Sequence, residues 1–118
     1  MAVDDILKLP ISPIFRDEVK ALLEVGSRKK VYFNTLRKAF ISLEDLFKSI
    51  SGCDLGEILE KYSSAKRTID SVADTLDRAS GMTFIPEKEE VDRLITSLDR
   101  IVKLLDEEVK RVYHHICR

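Results

Sequence analysis

The sequence predicts an all-α fold, an antiparallel up-down-up-down four-helix bundle with a long C-terminal helical hairpin and a short N-terminal segment. Three observations predict it. Pro10, Pro13, Gly26, Gly52, Gly81 and Pro86 cut the chain into four stretches free of internal proline. Within those stretches apolar residues recur in steps of three and four. The connections are short, which favours neighbouring helices that run in opposite directions.

The first helix is expected at about 13–25, with Ser12 as N-cap, Pro13 as first helical residue and Gly26 as stop. Ser27 caps the second, about 28–50, which Gly52 ends. It carries Phe33, Leu36, Phe40, Leu43, Phe47 and Ile50, with Tyr32, Ala39 and Leu46 on the adjoining edge, the widest apolar stripe in the chain. Asp54, followed three residues on by Glu57, opens the third helix, about 55–80, whose stripe is Leu55, Ile58, Tyr62, Ala65, Ile69, Val72, Leu76 and Ala79. Gly81 closes it. Pro86, with Glu87, Glu89 and Glu90 at the positive end of the helix dipole, opens the fourth, about 87–117. Its seam reads Val91, Ile95, Leu98, Val102, Leu105, Val109, Val112 and Ile116, a 3.5-residue period that implies left-handed supercoiling. One domain, 13–118, follows a segment 1–12.

Composition narrows the function classes. Lys plus Arg number 20 and Asp plus Glu 21, a formal charge of -1 that excludes a histone-like basic protein and an acidic disordered tail. The chain has no Gln, one Asn and 35% charged residues, the balance reported for proteins of hot environments. Asp4 and Asp5 follow the first residues with no basic or apolar leader pattern, and no apolar run approaches membrane-spanning length. A cytoplasmic protein without membrane contact is expected, and no cofactor is implied.

Four groups of residues invite a chemical reading. Glu57 and Glu60, then Glu89 and Asp92, spell ExxE followed after 28 residues by ExxD. That resembles the magnesium-binding pattern of the MazG-type nucleotide pyrophosphohydrolases, and the resemblance implies carboxylates on two facing helices holding metals that clamp a triphosphate. The two pairs here open successive helices, about 30 Å apart in an antiparallel hairpin, so they read first as helix-capping acids. His114 and His115 invite comparison with the HEPN ribonucleases, which carry Arg, four to six residues, then His. Arg111 precedes these histidines by only three and four positions, so that motif is not formed.

Cys53, His114 and Cys117 form the second group. Two unrelated thiols at a solvated terminus are the first expectation, a Cys53–Cys117 disulfide the second, and a soft metal site the third. The third group is basic. Arg28, Lys29, Lys30, Arg37 and Lys38 lie between Gly26 and Leu43 with no acid among them, and Tyr32 adds a ring able to stack on a base. They point to a nucleic-acid-binding accessory subunit, with the small helical subunits of CRISPR effector complexes as a fold-level analogy.

The fourth group carries the leading expectation. The fourth helix outruns the first by about 25 Å, so part of the hairpin is expected to lack cover within the chain. Met82, Phe84, Leu94, Ile101 and Leu104 are the residues that would meet a partner there. The sequence thus points to a non-enzymatic assembly or adaptor subunit, a homodimer or part of a larger complex. Nucleic-acid binding stands second, and the pyrophosphohydrolase third.

Overall fold

Four α-helices carry the chain: α1 (Pro13–Gly26), α2 (Lys30–Ile50), α3 (Leu55–Ala79) and α4 (Lys88–Ile116). The computed structural model describes residues 7–26, 30–79 and 88–117, with the side chains of residues 30–32 and 79 outside the description. Among the described residues there is no strand. The molecule extends over 51 × 24 × 22 Å.

The starts of α1 and α3 have the causes the sequence indicates; Ser27 and Pro86, expected to open the other two helices, lie outside the described residues. Ser12 caps α1: its Oγ accepts from the Phe15 N–H at 3.3 Å, and its carbonyl accepts from the Arg16 N–H at 2.9 Å. Pro13 follows where a missing N–H leaves nothing unsatisfied. Asp54 caps α3 in the same way, its Oδ1 accepting from the Glu57 N–H at 3.2 Å.

The helix ends differ from expectation. Gly52 does not supply the left-handed residue after α2; Cys53 does, at φ 55°. The N–H groups of Ser51, Gly52 and Cys53 donate to the carbonyls of Lys48, Ser49 and Ile50, so the turn closes on three hydrogen bonds and its left-handed residue is Cys53, not a glycine. Gly26 is the last residue of α1 and is buried. A Cβ there would lie 2.8 Å from Leu36 Cδ1, so what glycine provides is close approach between α1 and α2. Gly81 lies outside the described residues.

Each helix packs on its neighbour in sequence, and α4 returns to α1, while α1 and α3 do not meet. The wide stripe of α2 is buried as Leu36, Ala39, Phe40, Leu43, Leu46, Phe47 and Ile50, and α2 touches all three other helices. Phe47 meets Phe15 of α1 edge to face, with ring centroids 5.6 Å apart. From α3 the core takes Ile58, Ala65, Ile69, Val72 and Leu76, whereas Leu55, expected on that seam, is exposed.

The inner face of α4 is Val91, Leu94, Leu98, Ile101, Leu105, Glu108 and Val112. The expected seam through Ile95, Val102 and Val109 is a half-buried flank, and Ile116 is exposed. The cause is the position of α4 between two neighbours. Leu94 lines a cleft with Ala21 and Val25 of α1, while Ile95 lines another with Ile69 and Ala73 of α3. Among the described residues the expected gap in cover does not arise either. Ile11 is buried and Leu7 and Leu9 pack on the core, so residues 7–12 continue the cover begun by α1.

No helix among the described residues is long and apolar enough to cross a membrane.

Candidate functional site

Two constructions at one end of the bundle depart from plain helix packing. The first is centred on Glu108, which the apolar periodicity passes over. It occupies an inner position of α4, one turn beyond Leu105, and is only 5% exposed. Its Oε2 accepts from the backbone N–H of Ser12, and both its oxygens accept from Arg111. Arg111 also donates to the Pro10 carbonyl at 2.8 Å. Burial pushes the Glu108 carboxyl up, but the hydrogen bonds from Arg111 and Ser12, with the charge of Arg111, outweigh it and hold the group below its ordinary value of 4.5. The result is a polar latch that fixes the entry of α1 against the last turns of α4.

The second construction is covalent. Cys53 and Cys117 form a disulfide with Cα atoms 5.6 Å apart, closing a sequence separation of 64 residues. The solvated terminus expected from the sequence is not free. The Cys117 N–H donates to the Tyr113 carbonyl at 2.7 Å, so the backbone turns on past Ile116 and holds Cys117 in place. On the other side, the left-handed Cys53 presents its sulfur from the turn before α3. Neither thiol remains for metal binding, which removes the Cys53, His114, Cys117 set as a soft metal site. His114 is exposed and packs edge to face with Tyr113, centroids 5.9 Å apart.

Around that bond lie exposed apolar side chains. Leu55 is 51% exposed, Leu59 60% and Ile116 40%. Leu55 follows Cys53 by two residues, Leu59 comes one turn later on α3, and Ile116 directly precedes Cys117. Ile14, 69% exposed, lies two residues past the cap that Glu108 holds. Sequence periodicity placed Leu55 and Ile116 in the core seam. Their exposure follows from their position at the ends of α3 and α4, where the neighbouring helices run out.

The residues expected to meet a partner fall elsewhere. Leu94 and Ile101 are buried, 1% and 0% exposed, so they are packing residues and present nothing to a partner; Leu104 is half-buried against the core. Met82 and Phe84 lie outside the described residues. Of the basic group, Arg37 and Lys38 are exposed on α2; Arg28 and Lys29 lie outside the described residues, as do the side chains of Lys30 and Tyr32. Glu57, Glu60, Glu89 and Asp92 are all exposed. Among the described residues no three His, Cys, Asp or Glu side chains gather as a metal-holding group.

The outer faces of α3 and α4 are laced with ion pairs one turn apart: Arg78 with Asp74, Lys103 with Asp99, and Lys110 with Asp106. The hydrogen bond from Lys110 to Asp106, with its charge, raises the Lys110 ammonium above its ordinary value. Such pairs on an exposed face mark solvated surface and contribute little to stability.

Compared with protein-family models, with curated proteins and with solved structures, the chain finds no match in any of the three.

Proposed function

We propose that this chain is a non-enzymatic assembly or adaptor subunit that acts through protein–protein contacts of its C-terminal helical hairpin, α3 and α4, as a homodimer or within a larger complex. The observation that carries this reading is the gathering of exposed Leu55, Leu59 and Ile116 around the Cys53–Cys117 bond. Single exposed apolar residues need no explanation, but several at one end of a molecule form a patch of the kind that partners cover. The contact surface is therefore the clasped end of the hairpin, not the flank through Leu94 and Ile101. The disulfide supports this choice, because a patch held in place beforehand loses little freedom on binding.

The reading includes the up-down-up-down alternation of the helices. Its support is the short turn between α2 and α3 and the bond that ties the start of α3 to the end of α4.

Sedimentation velocity over a wide range of concentrations tests the homodimer form, comparing the native chain with a Leu55→Glu, Leu59→Glu variant. Association that grows with concentration and is lost in the variant is the expected result. A native chain that stays monomeric throughout removes the homodimer, and a variant that associates as before moves the contact away from this end.

A further inference from the structure

The bases of the molecule are unevenly engaged. Arg100 pairs with Glu18 at 3.5 Å, Lys103 with Asp99, Lys110 with Asp106 and Arg111 with Glu108, and Lys48 with Glu44 and Arg78 with Asp74 along α2 and α3. On the α2 and α3 side Arg37, Lys38, Lys61 and Arg67 make no ion pair or hydrogen bond among the described residues. The sequence shows why. Residues 27–43 contain no acid, and neither do residues 61–69, although each stretch carries several bases. The fold lays these two acid-free stretches side by side.

Between them runs an open cleft of about 350 Å³. Lys38 stands on its α2 wall and Lys61 on its α3 wall, with Ser42, Ser64 and Thr68 along the sides. Arg37 and Arg67, next in sequence to Lys38 and Thr68, are further exposed bases on the same two helices. The Ser42 hydroxyl is committed to the Ala39 carbonyl at 2.8 Å, but those of Ser64 and Thr68 make no hydrogen bond among the described residues and are free to donate. One acid, Asp45, lines the cleft, and it neutralises neither lysine within ion-pairing distance.

We infer that this α2–α3 cleft binds the phosphodiester backbone of a single-stranded nucleic acid. Bases on both rims with hydroxyl donors between them match a run of phosphate oxygens, each of which needs positive charge and hydrogen-bond donors together. From Lys61 to Thr68 the wall rises about 10 Å, enough to follow a short run of backbone phosphates. The described walls carry no aromatic ring on which a base would stack. Tyr62 lies under the Lys66 ammonium, 5.5 Å from ring centroid to nitrogen, and is not among the lining residues. Recognition is accordingly of backbone and independent of base sequence. Of the basic residues expected on α2 from the sequence, Lys38 stands on one wall; Lys61, Ser64 and Thr68 on α3 supply the other. This inference uses none of the residues at the disulfide end, so it stands or falls apart from the assembly reading.

Fluorescence anisotropy of a labelled oligodeoxythymidylate, titrated at several salt concentrations, tests it. Four engaged bases give a slope of about -3 in log affinity against log salt, or about 50-fold weaker binding between roughly 50 and 200 mM. Lys38→Gln with Arg67→Gln is expected to halve the slope. Lys103→Gln with Lys110→Gln, which removes the same charge from α4, is expected to leave it unchanged. Absence of binding at low salt overturns the inference, as does an equal loss in both double variants, which would assign the binding to net charge alone. Displacement of the strand by inorganic phosphate, beyond that by chloride at equal ionic strength, would make the cleft a free-phosphate site and also overturn it. Circular dichroism of each variant, all four changes being on exposed helix surface, establishes that the comparison is made between folded proteins.

Discussion

The two sides of the bundle solve the same packing problem with different chemistry. Where α1 meets α4, an apolar interior is supplemented by polar cross-links: Ser12 to Glu108, Pro10 to Arg111, and Glu18 to Arg100. Where α2 meets α3, apolar burial is the main bond, and Arg37, Lys38, Lys61 and Arg67 make no ion pair among the described residues. The difference follows from length and burial. α1 is 14 residues and docks on a partner of 29, so its position along α4 is not fixed by its ends, and directional contacts set it. α2, with 21 residues, is joined to α3 by a tight turn whose hydrogen bonds and alternating large side chains already define the register. Arg37, Lys38, Lys61 and Arg67 on that side hold no structural contact of this kind, and their pattern is open to other use.

Three changes would break or sharpen this comparison. Loss of the disulfide should have the largest effect, because Cys53 and Cys117 tie the α2–α3 turn to the end of α4 and so join the two sides. For a closed loop of this size, chain-entropy reasoning gives about 4 kcal/mol, which corresponds to a fall of roughly 15 °C in Tm. Thermal unfolding with and without a thiol reductant, and of Cys53→Ser with Cys117→Ser, measures it. An unchanged Tm would show that the helix ends are held by packing alone.

Next in size is Leu94→Ala, which opens a cavity between α1 and α4 and should cost about 3 kcal/mol in denaturant unfolding. The same change at exposed Leu59 should stay within about 0.5 kcal/mol. Equal costs at the two positions would contradict the assignment of Leu94 to the interior and Leu59 to the surface.

Glu108→Gln is the smallest of the three, at about 2 kcal/mol near neutral pH, since it leaves Ser12 and Arg111 with a weaker acceptor. Its pH dependence has a definite sign. The folded carboxyl lies below its ordinary 4.5, so its contribution is complete above that value and disappears as the pH falls through the lower folded one. Acid unfolding curves of the native chain and of the variant should therefore converge at low pH. A gap that persisted there would mean that the latch works by shape, not by charge.

Much of the fold was legible in the sequence. The caps at Ser12 and Asp54, the proline at the start of α1 and the width of the α2 stripe all act locally, and local signals survive in a linear chain. The inner face of α4 was harder. Its sequence carries two overlapping seven-residue series, Leu94 with Ile101 and Ile95 with Val102 and Val109, and both are apolar. Which one faces the centre depends on α4 having a neighbour on each side, which no single-helix pattern contains. Glu108 was passed over for a related reason. A glutamate on an apolar seam looks like an interruption until Ser12 and Arg111 are seen around it, 96 residues away in the first case.

The candidate surfaces were legible only in part. The basic run on α2 stands out because it is continuous in sequence. The second wall of the cleft, on α3, is an acid-free stretch of ordinary appearance, and it gains meaning only from lying against the first. Leu55 and Ile116 have the spacing of core residues and are exposed because helices end, a boundary effect that periodicity does not register.

The bond between Cys53 and Cys117 makes the second half of the chain a closed ring of covalent links. A protease that cuts once anywhere inside that ring opens the backbone without releasing a fragment. The nicked protein keeps its size and gains the mass of one water molecule, and only a reductant parts the two pieces.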